Sequence, residues 1–290
     1  MVSEFIKTGN PIGKTDLIGQ IAKALGKETR LFKTSIHGAD AAFCSRKSVL
    51  HLALSSSEVV TSGPEAALYF SIGNAVHDTI GKAFRSAGVL IATEVSVEYD
   101  QVRGYIDNII VSAETGELKI IDIKTCGALP AKIKPGQNEQ LLAYALLTGI
   151  TEASILYVSR NVANFSGLLI KEIQAPINSI SMQKVARIVA ESLVYAHHQI
   201  VPPMPEYHST RMGCGWCPFK ENGCYTVDEG IKPLSTAYFY GEVEELEAEV
   251  VKKASALLVG KSEFYKNFLE KLLRFEGTNR PTYAKWSSER

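Results

Sequence analysis

The sequence has no surplus of charge of either sign. Its 31 Lys and Arg balance 31 Asp and Glu over 290 residues, for a net charge of zero. That argues against a general basic coat for nucleic acid and leaves only a local basic groove for such contacts. No run is long and apolar enough to span a bilayer, and the N-terminus lacks a signal-peptide pattern. A cytoplasmic protein without a membrane partner is expected. Cysteine is sparse, at five. In a reducing compartment these do not make a disulfide framework, so metal or cluster binding is the expected use of them. Apolar residues are not lacking. At 46% hydrophobic and 21% charged, the composition suffices for a real core and is not that of a disordered chain. The length fits one large domain or two small ones.

Two stretches carry the chemistry. Gly104-Tyr105-Ile106-Asp107 and Ile120-Ile121-Asp122-Ile123-Lys124-Thr125 both read as strands, β-branched and apolar, joined through turn residues at Glu114-Thr115-Gly116-Glu117. A hairpin there brings Asp107 and Asp122 toward one pocket, with Lys124 on the same face as Asp122. Two converging carboxylates repel each other unless a cation lies between them. Hard oxygen donors suit Mg²⁺ or Mn²⁺, and a lysine beside such an ion can orient water or offset developing charge. The competing reading is an exposed hairpin with surface charges.

The rest of the chain frames that hairpin. Gly9 to Thr15 looks like a phosphate loop but is one residue short between its glycines, with no strand before it. It reads as a turn entering a helix near Asp16 to Leu25. Residues 34–55 read as one helix, capped by Thr34 or Ser35 and carrying Cys44. Taken alone, Cys44 reads as a small core residue. A polar break at Ser55 to Pro64 reads as a linker. Pro64 to Gly88 reads as a helix with Gly73 and His77 four apart on one face. In isolation His77 reads as a core histidine. Glu94 to Glu98 alternates as a strand; Glu94 could reach the pocket, but a solvated strand face is the expected place for it. Gln137 to Leu147 reads as a helix with Gln140 and Tyr144 at i and i+4, which alone suggests a helix surface bearing a half-buried tyrosine. Ala153 to Val158 and Gly167 to Ile173 read as strands, and Ser181 to Tyr195 as a helix. Helix, three strands, helix, strand makes an α/β layer structure with the site at the ends of its central strands. Residues 252–274, basic with interspersed Leu and Phe, read as one or two amphipathic helices that pack on the core, extend a groove or bind another subunit.

Near the C-terminus, Cys214-Gly215-Trp216-Cys217-Pro218 is followed by Cys224. Two intervening residues let the first pair of thiolates turn onto one ion or cluster. Zinc would complete a Cys₃His set with His208. An iron–sulfur cubane would prefer a fourth thiolate, for which Cys44 and Cys126 are the candidates. Cys126, next to Lys124-Thr125, reads as a packed core thiol.

In this order, Cys44, Gly73-x-x-x-His77, Gly104-x-x-Asp107, Asp122-x-Lys124, Gln140-x-x-x-Tyr144 and the late cysteine trio resemble the PD-(D/E)XK nuclease superfamily. Within it they are most similar to RecB-like exonucleases of the CRISPR-associated Cas-four type. Bacteriophages and helicase–nuclease AddB-type subunits carry similar modules. The resemblance covers residues 34–225 and departs at Ser45, where relatives often have proline. It implies a restriction-endonuclease-like core, a central mixed sheet flanked by helices, with an iron–sulfur-stapled helical periphery. It divides the chain into an N-terminal helical segment (1–60), nuclease core (61–175), helix and cysteine cluster (176–230) and helical tail (231–290). It implies that His77, Asp107 and Asp122, with the carbonyl of Ile123, bind Mn²⁺ or Mg²⁺. Lys124 would be the catalytic lysine, and Gln140 and Tyr144 a helical motif that contacts DNA and steadies the site. Cys44, Cys214, Cys217 and Cys224 would hold a [4Fe-4S] cluster. The implied substrate is DNA, single-stranded or with a free end. The implied protein partners belong to recombination or CRISPR adaptation, with homo-oligomers a further option. Two other readings stay open: a non-catalytic DNA-binding scaffold subunit, against which the intact Asp107, Asp122 and Lys124 argue, and a zinc-stapled nucleotide-binding domain.

Overall fold

The computed structural model describes residues 28–30, 35–53, 59–61, 64–134, 136–161, 169–202, 217, 219, 224, 239–240 and 245–274. The loop resembling a phosphate loop, the helix expected at Asp16 to Leu25, His208 and Cys214 lie outside these residues. The strands are β1 (Glu28–Arg30), β2 (Ile36–His37), β3 (Val59–Thr61), β4 (Leu90–Tyr99), β5 (Val102–Val111), β6 (Leu118–Cys126), β7 (Glu152–Ser159), β8 (Ile170–Gln174), β9 (Ile200–Val201) and β10 (Phe239–Tyr240). The helices are α1 (Gly38–Phe43), α2 (Ser45–Ala53), α3 (Pro64–Ser86), α4 (Gln137–Thr148), α5 (Ser179–His197), α6 (Glu245–Val259) and α7 (Lys261–Arg274).

The central sheet runs β4-β5-β6-β7-β8, with β2 also paired to β5. Pairing is antiparallel between β4, β5 and β6 and between β7 and β8, and parallel between β6 and β7. The sheet is therefore mixed. The parallel step from β6 to β7 needs a crossover, and α4 supplies it. Two turns delimit α4. Gly136 precedes it at φ 85°, and Glu139 reaches back to accept the Gly136 N–H at 2.6 Å. Gly149 ends it at φ 72°, where its N–H meets the Ala145 carbonyl. A side chain at Gly149 would collide with the backbone of α7, 2.5 Å from the Lys261 carbonyl oxygen.

The α4 helix is not the half-exposed surface helix that its i, i+4 pair suggests in isolation. Leu141 through Thr148 are all buried, and Tyr144 is 1% exposed. A helix apolar on all sides belongs inside a fold. Here it lies between the sheet, which it meets at β4, β6 and β7, and α5. The expected single helix over 34–55 is also corrected. Residues 36–37 are a strand, and Cys44 breaks the helix into α1 and α2 with extended backbone at φ −155° and ψ 106°. The basic tail forms two helices, as expected. α6 packs on α5 and α7 on α4.

Candidate active site

The β5–β6 hairpin sets the site. Asn108 pairs with Ile121, which puts Asp107 opposite Asp122 in the register. Asp107 Oδ2 accepts the Ile123 N–H at 2.8 Å and lies 3.5 Å from His77 Nδ1 of α3. The Ile123 N–H thus fixes Asp107. Lys124 Nζ is 2.8 Å from Asp122 Oδ2. Asp122 is 2% exposed, and its Oδ1 has no hydrogen-bond partner among the described residues. A buried carboxylate oxygen left unsatisfied is costly unless something positive completes it.

Burial pushes the Asp122 pKa up to about 6, Lys124 opposes that rise, and Asp107 adds to it. Burial also raises Asp107, against the pull of Lys124, the Ile123 N–H and His77. For Lys124 burial disfavours the charge, but Asp122 and Asp107 outweigh it and hold the ammonium above its ordinary value. The site is thus two acids that resist sharing a dry space and one lysine that both stabilise.

Glu94 joins this group, although the strand pattern places it on a solvated face. It lies between Thr93 and Val95, whose partners on β5 are Asn108 and Ile106, and so faces Asp107. Its backbone is left-handed, at φ 50° in mid-strand. For a residue with a side chain this conformation costs about 1–2 kcal/mol. His77, Glu94 and Asp107 present ligand atoms all within 4.8 Å of one another, and among the described residues they are the His, Cys, Asp and Glu set that does so. They open onto a cavity of about 310 Å³ that Asn108, Lys82 and Arg85 also line. The imidazole, the oxygen donors and the unsatisfied Asp122 oxygen fit a hard divalent cation. Asp122 stands outside the tight set, beside Lys124.

A scan against protein-family profiles matches residues 74–222 to the PD-(D/E)XK nuclease superfamily. The chain belongs to that superfamily. Metal-dependent phosphodiester hydrolysis is its chemistry, and the carboxylates and lysine of this superfamily member lie on adjacent strands of one hairpin. Curated proteins give no match. The crystal structure of SSO0001 superimposes with a TM-score of 0.40 at 17% identity, over 65% of this chain and 85% of that one.

The remaining expected residues fall in two places. Tyr144 lies directly beneath the hairpin, with Gln140 Nε2 donating to its hydroxyl at 3.2 Å. A Cβ at Gly104 would stand 2.6 Å from Tyr144 Cε1, so the glycine of Gly104-x-x-Asp107 leaves room for that ring. Burial raises the Tyr144 pKa, and the neighbouring Gln140, Asp122 and Lys124 also act on the phenol. The cysteines are elsewhere. Cys44 stands at the α1–α2 break, and its Sγ accepts the Lys47 N–H at 3.5 Å. Cys126 is buried at the end of β6, as a core thiol, with Sγ 3.7 Å from the Val158 carbonyl. No helix among the described residues is long and apolar enough to cross a membrane.

Proposed function

We propose that this protein is a divalent-metal-dependent deoxyribonuclease that degrades single-stranded DNA from a free end and is held together by a [4Fe-4S] cluster. The observation that carries the catalytic part is the buried Asp122 carboxylate, one oxygen paired with Lys124 and the other unsatisfied, next to the converging His77, Glu94 and Asp107.

His77, Glu94, Asp107 and Asp122 would hold Mn²⁺ or Mg²⁺. Such an ion supplies Lewis-acid polarisation of the scissile phosphate and offsets charge on the departing 3′ oxygen. The chain's own groups do the rest. The Ile123 N–H holds Asp107 in place, and Asp122 holds Lys124 by its ammonium. Lys124, half-buried beside Asp122, would donate N–H bonds that align the attacking water and meet the charge growing on the phosphate oxygens. Tyr144 and Gln140, packed underneath, keep the strands from shifting.

The cluster reading rests on the other end of the core. The described parts of the late cysteine segment dock on α2, the helix that begins immediately after Cys44. Phe219 is fully buried and meets the His51 ring edge-on at 4.7 Å. The Arg46 guanidinium, 2% exposed, donates to the Pro202 carbonyl at 2.5 Å. Lys47 is held by Asp40 at 2.7 Å, with Cys217 and Cys44 as weaker charges near it. Among the described residues Cys44, Cys217 and Cys224 do not bring three ligand atoms within 4.8 Å of one another, so a cluster would have to draw them together.

The test is digestion of end-labelled single- and double-stranded DNA with Mn²⁺, comparing wild type with Lys124→Ala and Asp107→Ala. Removing charge stabilisation of this kind lowers kcat by about 10²- to 10³-fold. Equal activity in well-folded variants would end the proposal.

A further inference from the structure

The nuclease reading does not say how a strand reaches the metal site, and α3 carries a row of residues that it leaves unused. Tyr69, Gly73, His77, Gly81 and Arg85 recur every four residues, which places them along one ridge of the helix. Each step advances about 6 Å along the axis and turns about 40° round it, so the row winds round the helix from Tyr69 to Arg85. The two glycines leave gaps on either side of His77. A Cβ at Gly73 would meet nothing within 4 Å, and one at Gly81 would meet Asn108 and Thr93 only at ordinary contact distance.

The ends of the row differ in chemistry. At one end Tyr69 is 54% exposed. The Arg160 guanidinium lies 4.3 Å over it. Arg160 follows the last residue of β7, and its backbone N–H bonds to the Cys126 carbonyl at the end of β6. Its Nε is buried and has no hydrogen-bond partner among the described residues. The arginine is thus held as a flat cation against an exposed ring, beyond the strand ends that carry Lys124. At the other end Arg85, with Lys82, lines the cavity that holds the acid cluster.

We propose that α3 is the track for one unpaired DNA strand. A base stacks at the Tyr69–Arg160 pair, the scissile phosphate rests at His77, and a phosphate further along the strand meets Lys82 and Arg85. This deepens the nuclease reading and rests on it. Aromatic stacking serves bases of any identity, and it serves unpaired bases because those of a duplex are already stacked. Net neutrality of the chain is no obstacle, because the cations needed are local, with Arg160 at one end of the row and Lys82 and Arg85 at the other.

The experiment measures fluorescence anisotropy of a labelled thymidine oligonucleotide and of a duplex of the same length, on the full chain, with calcium in place of manganese. Tyr69→Ala weakens single-strand binding by about 5- to 150-fold, the range for losing one stacked base. Tyr69→Phe keeps affinity within about twofold, because the ring remains. Duplex affinity is unchanged by either variant. Arg85→Gln lowers the slope of log K against log salt by about one. The track is overturned if wild type does not bind the oligonucleotide, if Tyr69→Ala binds it as wild type does, or if single-strand and duplex binding weaken together. Failure of the nuclease reading appears separately, as absence of cleavage by wild type in manganese.

Discussion

Replacing Asp122 by Asn should make the protein more stable and unable to cut. Asp122 is 2% exposed, and its folded-state pKa of about 6 lies above the ordinary 3.8. The folded chain therefore holds this proton more tightly than the unfolded chain does. Between pH 3.8 and 6 the unfolded state has lost the proton and the folded state has kept it, so stability falls as pH rises through that window. About two pKa units at about 1.4 kcal/mol each puts the loss near 3 kcal/mol at neutral pH without metal. Asp107 lies close enough to titrate with it, so the window belongs to both carboxyls together. Asparagine keeps the shape of the protonated acid and carries no charge. In EDTA, Asp122→Asn should exceed wild type by about 3 kcal/mol at pH 7.5, a Tm gain of about 6–12 °C. The gap should widen by about 1 kcal/mol between pH 5 and pH 6 and level off only above about pH 7. Manganese should raise the Tm of wild type more than that of the variant, which keeps His77, Glu94 and Asp107 but loses one charged ligand. Thermal unfolding of both proteins across this pH series is the assay. A variant less stable than wild type at pH 7.5 in EDTA, or a gap that does not change with pH, would refute the view of Asp122 as a strained ligand.

Other expectations concern backbone and staple. Glu94→Gly frees a left-handed position, at φ 50°, and removes a candidate ligand. Relief of about 1–2 kcal/mol offsets glycine's entropic cost of about 0.5–1 kcal/mol, so metal-free stability should hold or rise while manganese affinity, read by calorimetry, falls. Gly104→Ala should cost about 1–3 kcal/mol in urea unfolding, because its Cβ would stand 2.6 Å from Tyr144 Cε1. Tyr144→Leu in the same chain should recover part of that loss, as contacting sites are not additive. Anaerobically purified protein should be brown, with broad absorbance near about 400 nm, and Cys44→Ser should lose both colour and several degrees of Tm. Stoichiometric zinc in a colourless protein would replace the cluster with a Cys₃His site.

Much of the candidate site is legible in the sequence because it depends on strand period. Two β-branched runs separated by a short polar turn pair in only a few ways, and that pairing brings Asp107 to Asp122. His77 needs more than period. Its helix is plain, but nothing local tells a ligand from a core histidine, and only the order of the other motifs separates them. Glu94 is only a weak candidate in the sequence for a physical reason. Alternation assumes extended backbone, and a left-handed residue in mid-strand re-aims its side chain without leaving a mark in the pattern. Cys44 misleads in the same manner. Its neighbours are good helix formers on both sides, so the break appears only in the tertiary fold. The burial of α4 was half visible, in the leucines and alanines around Gln140 and Tyr144, and was masked by the polar ends of that pair. The Tyr69–Arg160 contact joins residues far apart in the chain, and no local rule predicts it.

One consequence follows from where the ion's donors come from. His77, Glu94, Asp107, Asp122 and Lys124 all belong to one continuous run through α3 and three successive strands. Closing short loops takes little entropy, so this run can reach its native arrangement early, before the distant ends of the chain meet. The cysteines have the opposite character, since Cys44 and Cys224 bracket that run from both sides. Oxidative damage to the thiols should therefore shorten the working life of each molecule while leaving its cutting chemistry intact for as long as the molecule survives.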